Sequence, residues 1–116
     1  HVPAGLDTYH LAGQLAVGKD GSLIGVGDFE AQFHKVYSNL GDVLKALGED
    51  YDSIIVMHTF MLHSQSLPQF MELRKALFPT IFTGPDFPPN TLLMVDRLVK
   101  EEFLIEVEAV AAKLNS

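Results

Sequence analysis

Between Leu104 and Ala111 the chain reads Leu-Ile-Glu-Val-Glu-Ala-Val-Ala, apolar and acidic residues alternating before an apolar close. A period of two places Ile105 and Val107 on one face of a strand and Glu106 and Glu108 on the other. Glutamate is a poor strand residue unless it faces water or does chemical work. The pattern predicts a strand over 103–112 with a core face and a carboxylate face. A solvated sheet face is the plain alternative for those two carboxylates.

The same reading extends upstream. Thr8 to Val17 reads as a strand interrupted by Gly13, and Lys19-Asp20-Gly21-Ser22 as a turn. Phe29, Phe33, Val36, Tyr37, Leu40, Val43, Leu44 and Leu47 recur at spacings of three and four, the signature of an amphipathic helix. Asp28 is placed to cap its start and Gly48 to stop its end. Ser53 to His63 is β-branched and aromatic, apolar on both faces, and reads as a central strand. A second helix opens near Ser66, with Pro68 in its first turn, and is expected to stop before Pro79. A loop rich in Gly and Pro spans Phe82 to Pro89, and a strand runs from Thr91 to Asp96. The order β(β)αβαββ predicts an α+β domain: a mixed sheet with two helices on one face. The uncovered sheet face is the expected place for subunit contacts.

Composition sharpens this picture. The 116 residues are 47% hydrophobic with a mean hydropathy of +0.18. A chain this short buries only about two thirds of its unfolded surface, so part of that apolar surface is expected between subunits. No apolar run reaches the roughly 20 residues of a membrane span. The chain opens at His1 without a methionine, which reads as an upstream piece missing. With no cysteine, thiolate metal sites and a cysteine nucleophile are excluded. The net charge is −7 and the eight basic residues are scattered, so nothing tracks phosphates and no nucleic acid is expected.

The usual chemical signatures fail. His58 and His63, five apart on one predicted strand, point to opposite faces and cannot share a metal. His34 falls on the polar side of the first helix, and no metal-ligand spacing of histidines exists. No serine sits in a G-x-S-x-G elbow. Gly25-Val26-Gly27 lacks the third glycine and the preceding strand of a dinucleotide loop. No metal and no cofactor is expected.

What remains is a constellation. Ala12-Gly13-Gln14 ends one strand, Phe87-Pro88-Pro89-Asn90-Thr91 enters another, and Glu106 stands on a third. Together with Asp28-x-Glu30-Ala31-Gln32, Asn39-Leu40-x-x-Val43-Leu44, Gly48 and Ile105-Glu106-Val107-Glu108-Ala109-Val110-Ala111, this resembles the reactive intermediate deaminase family (Rid, or YjgF-like proteins). Ala12-Gly13-Gln14 stands for the family's Ser-Gly-Gln and Phe87-Pro88-Pro89 for its Phe-Pro-Ala. The likeness runs from about Val2 to the C-terminus as one domain, without the family's N-terminal strand. The resemblance implies a chorismate-mutase-like fold, assembled as a homotrimer around a central barrel with a ligand cleft between subunits. It also implies that an arginine after Phe-Pro-Ala grips the carboxylate of a 2-imino or enamino acid; the lack of cysteine agrees with the expected cytoplasmic location. A glutamate of the last strand, here Glu106, positions the attacking water, and the products are a 2-keto acid and ammonia.

This chain departs from that pattern where the substrate is held. The arginine position is Asn90, and an amide offers neither the charge nor the bidentate fork of a guanidinium. An asparagine of the second helix is matched by Met71, and a small residue of the next strand by Leu92. Gly13, Gln14, Pro88, Asn90, Thr91, Met71 and Leu92 are the expected binding residues. Glu106, walled by Met71 and Leu92, is the expected catalytic one, its pKa raised by desolvation. Arg97, seven residues beyond Asn90, is expected on the opposite side of the strand. Arg74, one helical turn from Met71, is placed to reach the cleft. Two functions follow: a hydrolase of imines or enamines, or a trimer that binds a small ligand without turnover. Ribonuclease, a label attached to such relatives, is opposed by the acidic charge.

Overall fold

The longest element forms where the three-and-four spacing predicts it. In the computed structural model, which describes residues 6–114, helix α1 spans Phe29–Ala46. The resemblance's ends, at Val2 and after Leu114, lie outside these residues. Asp28 Oδ1 accepts the Ala31 N–H at 3.1 Å, satisfying one orphan donor of the first turn. At the other end Gly48 adopts φ 77°, and the Glu49 N–H returns to the Leu44 carbonyl at 2.9 Å. Only a residue without a Cβ takes that left-handed turn at no cost.

One face of α1 is buried through Phe29, Phe33, Val36, Tyr37, Leu40 and Leu44. Each such side chain contributes on the order of 1.5–3 kcal/mol of burial. Gln32, which the apolar spacing omits, is buried as well. Its Nε2 donates to the Gly25 and Glu102 carbonyls at 3.1 and 2.9 Å, and its Oε1 accepts the Leu104 N–H at 2.8 Å. One amide thereby ties the loop before α1 to the entry of the last strand.

The sheet consists of β1 (Leu6–Gln14), β2 (Ile54–Met61), β3 (Asn90–Met94) and β4 (Ile105–Leu114) in the order β1-β4-β2-β3. β4 pairs antiparallel with β1 and β2, while β2 and β3 run parallel across helix α2 (Leu67–Ile81). This is the α+β, mixed-sheet architecture the pattern predicts. Ile105, Val107, Ala109 and Ala111 of β4 and Met57 and Met61 of β2 join the helices in one core. Glu106, Glu108 and Val110, with Val56, His58 and Phe60 of β2, point to the other side, which no helix covers.

Besides shifts of up to two residues at the ends of β3 and β4, three boundaries differ from expectation. β1 ends at Gln14, and beyond it only the bridge between Val17 and Leu23 remains of the second strand. β2 ends at Met61, so His63 lies past it. Helix α2 runs two residues beyond Pro79. A proline in the last turn removes a single hydrogen bond, and here the Phe82 N–H still reaches the Phe78 carbonyl at 3.0 Å. The rings of Phe78 and Phe82, 5.1 Å apart, hold that turn on the core.

Candidate functional site

Glu106 stands opposite Phe60 on the uncovered sheet face. Its carboxyl lies over Gly13, at the irregularity where β1 shifts register against β4 between Leu11 and Gln14. A Cβ at Gly13 would come within 2.7 Å of the carboxyl carbon of Glu106 and 3.1 Å of its Cγ. Glycine therefore lets the carboxyl of Glu106 take this position, from which a Cβ would displace it. The neighbouring Gln14 uses its amide locally, Nε2 donating to the Ala12 carbonyl at 2.8 Å. Burial raises the Glu106 pKa above the usual carboxylate value, and the nearby Glu108 adds to the rise.

Glu108 has a partner that sequence reasoning missed. His58 Nδ1 lies 3.2 Å from its Oε1, because β2 and β4 pair the two residues in register. His10 joins them at a concavity of about 140 Å³ on the same face. Only the register brings these three together, and no spacing along the chain signals it.

The second group of predicted residues faces the helices. Asn90 opens β3 opposite Met57, and Thr59 Oγ1 donates to Asn90 Oδ1 at 2.9 Å. Thr59 is buried, so this bond fixes the amide and leaves its Nδ2 without a partner among the described residues. Leu92, also on this face, packs against the core, whereas Thr91 is exposed on the other side. Pro88 is half-buried in the loop that leads into β3. Met71 and Arg74 of α2 do share a cleft. With Phe87, Glu72 and Lys75 they line a concavity of about 320 Å³. The Arg74 guanidinium lies 5.2 Å from the centroid of Phe78, a cation–π distance.

Behind Arg74 is a further group that the apolar pattern concealed. The Tyr37 hydroxyl is buried and has no hydrogen bond of good geometry, with Thr59 as its polar neighbour. Burial drives its pKa far up, while Thr59 and the Arg74 charge pull the other way. A phenol inside an otherwise apolar stripe was the available signal.

Within one chain these two groups are separated by the sheet. Glu106 and Gly13 occupy the uncovered face; Asn90, Leu92, Met71 and Arg74 occupy the helical side. Met71 and Leu92 thus do not wall Glu106 within the chain, whose neighbours there are Gly13 and Glu108. Arg97 lies outside the strand-parity argument, because β3 ends at Met94 and Arg97 sits exposed in the following turn, 3.8 Å from Glu101. Among the described residues no group of three His, Asp or Glu side chains is placed to hold a metal ion. No helix among them is long and apolar enough to cross a membrane.

Two helices on one face of a mixed four-stranded sheet give this chain the fold of the solved Rid proteins. The sequence model of the family described as Endoribonuclease L-PSP matches residues 5–113, and the chain belongs to that family, the Rid or YjgF family. It is similar to the Rid-family protein YyfB of Yersinia pestis, at 33% identity and a TM-score of 0.80 over 91% of this chain and 78% of that one. The YyfA protein of Yersinia pestis shares 26% identity with a TM-score of 0.78, covering 97% and 83%. The YjgF gene product of E. coli shares 25% identity with a TM-score of 0.80, covering 97% and 84%.

Proposed function

We propose that this chain is a cytoplasmic hydrolase of imines or enamines, working in clefts between the subunits of a homotrimer. Glu106 positions the attacking water and takes its proton. The single observation that carries this reading is the Glu106 carboxyl lying over Gly13, half-buried and with a raised pKa. Such a group holds and releases protons closer to neutral pH than a solvated carboxylate does.

The partition across the sheet supports the inter-subunit part. A cleft that contains both Glu106 and Asn90 draws its two walls from different copies of the chain. The uncovered face is suited to such contact: Val56, Phe60 and Val110 are only half-covered within the chain, and Leu93 is 44% exposed. Gly13 and Gln14 accompany Glu106 on one wall. Asn90, Pro88, Leu92, Met71 and Arg74 supply the other, and Thr91 lies at their junction.

In the proposed reaction water adds to the carbon of a C=N bond while Glu106 accepts a proton. Glu106 passes that proton to nitrogen to give a carbinolamine, then carries the proton of its hydroxyl to the amine; the C–N bond breaks, and ammonia leaves a carbonyl behind. The direct test uses 2-imino acids generated in place by an amino-acid oxidase and scavenged with semicarbazide. Faster imine loss with this protein, abolished in Glu106→Gln, supports the reading. No acceleration over buffer across apolar and acidic side chains would sink it.

A second reading, a ligand-binding trimer without turnover, is favoured by one observation: an amide stands at position 90. In that case Glu106→Gln changes ligand affinity and nothing else. The net charge of −7 speaks against RNA as substrate, and salt-sensitive RNA binding by the purified chain would reopen ribonuclease activity.

A further inference from the structure

A concavity of about 340 Å³ opens on the helical side of the molecule, between α1, Leu77 of α2 and Tyr51. None of Glu106, Gly13, Asn90 and Arg74 lines it. His34, Ser38 and Asp42 follow at intervals of four along α1, so their side chains stand in a row along this groove. Gly41 shapes its floor. Glycine inside a helix is destabilising relative to alanine. Here a Cβ would come within 2.8 Å of Tyr51 Cζ, so its absence lets the phenol lie against the helix.

The polar groups of the groove are one-sided. The Tyr51 hydroxyl donates to the Tyr37 carbonyl at 2.7 Å, so its oxygen can meet a ligand only as an acceptor. Asp42 forms no ion pair among the described residues, although it lies on an exposed helix edge. Burial raises the Tyr51 pKa and the Asp42 carboxylate adds to the rise, which puts that charge within electrostatic reach of the phenol. His34 Nε2 lies 4.0 Å from Glu30 Oε2. Neither Lys nor Arg lines the groove, and a net charge of −7 draws cations toward the chain as a whole.

We infer that this groove is a second ligand site and that it takes a small primary amine in its ammonium form. The site is separate from the cleft proposed above and does not depend on the chemistry there. An ammonium brings three donors and no acceptor. The Asp42 carboxylate, the Ser38 hydroxyl and the Tyr51 oxygen are acceptors that match it. The Tyr51 ring offers an aromatic face to the cation and, with Leu77, an apolar wall to the carbon body. A volume of about 340 Å³ lies at the small end of ligand pockets and has room for one ring on a short stem. A neutral alcohol would use one of the acceptors as a donor, and a carboxylate would meet Asp42 directly.

The test is calorimetric titration of the full chain with benzylamine, benzyl alcohol and phenylacetate, with backbone amide shifts recorded alongside. Benzylamine is expected to bind at least about tenfold more tightly than either of the others, and more weakly as salt is added. The shifts are expected at Ser38, Gly41 and Asp42. Asp42→Asn, a change on an exposed helix edge, should reduce benzylamine to the affinity of the alcohol. Tyr51→Phe, which keeps the ring and removes the oxygen, should fall in between. Equal affinity for amine and alcohol, no binding of benzylamine at millimolar concentration, or an Asp42→Asn variant that binds as before would each overturn the inference. Shifts centred on Gly13 and Glu106 instead would overturn it too.

Discussion

The carboxyl of Glu106 rests directly over the backbone of Gly13, with no room between them for a methyl group. A methyl there would displace the carboxyl rather than the strand, because the side chain can swing and the paired backbone cannot. Gly13→Ala is therefore expected to lower turnover about a hundredfold, the scale of a 1 Å misplacement of a reacting group. The thermal midpoint should fall by only a few degrees. Imine turnover beside a melting curve checks both halves, and a variant with full turnover would refute the close-approach argument.

Glu106 also predicts a pH dependence. Its folded pKa is raised above the ordinary value of 4.5 by burial first and by Glu108 second. The folded state then binds more protons than the unfolded state between the two pKa values. The contribution of Glu106 to stability is accordingly greatest below the unfolded value and is lost as pH rises through the folded one. Glu106→Gln should flatten this decline and melt higher than the native chain at neutral pH. His58 pairs with Glu108 on the same face, so melting curves from pH 4 to 7 should be repeated in His58→Gln.

Tyr37→Phe removes a buried hydroxyl whose polar neighbour, Thr59, is not in good hydrogen-bond geometry. Its expected effect is a gain of about 1 kcal/mol, since only an unmet desolvation cost is lost. Urea denaturation measures this. A loss of stability would mean that the hydroxyl is bonded in the folded protein.

Gln32→Met keeps the volume and breaks three hydrogen bonds. It leaves the Glu102 carbonyl and the Leu104 N–H unpaired at a buried junction, while the Gly25 carbonyl keeps the Asp28 N–H, for an expected loss of about 2–4 kcal/mol. The check is again denaturant unfolding, with hydrogen exchange at Leu104 as the local reporter.

The uncovered face predicts the assembly. Sedimentation equilibrium should give three times the 12.8 kDa chain mass. Phe60→Glu, which adds a charge opposite Glu106, should give monomers without turnover. A native chain that sediments as a monomer would remove the inter-subunit cleft.

Local pattern determined much of this protein. The three-and-four spacing from Phe29 to Leu47, with Asp28 and Gly48 at its ends, specifies α1, because a helix buries a stripe that its own sequence must carry. The alternation around Glu106 likewise specifies which face of β4 is core. Tertiary structure alone decided that Glu108 meets His58, that Gly13 lies under Glu106, and that Arg74, Met71 and Phe87 line one concavity. It also decided that Pro79 stays helical and that Asn90 and Glu106 leave opposite faces of the sheet. Periodicity reports how each segment divides itself between core and solvent. Contacts between segments depend on strand order, register and packing, which no local spacing encodes.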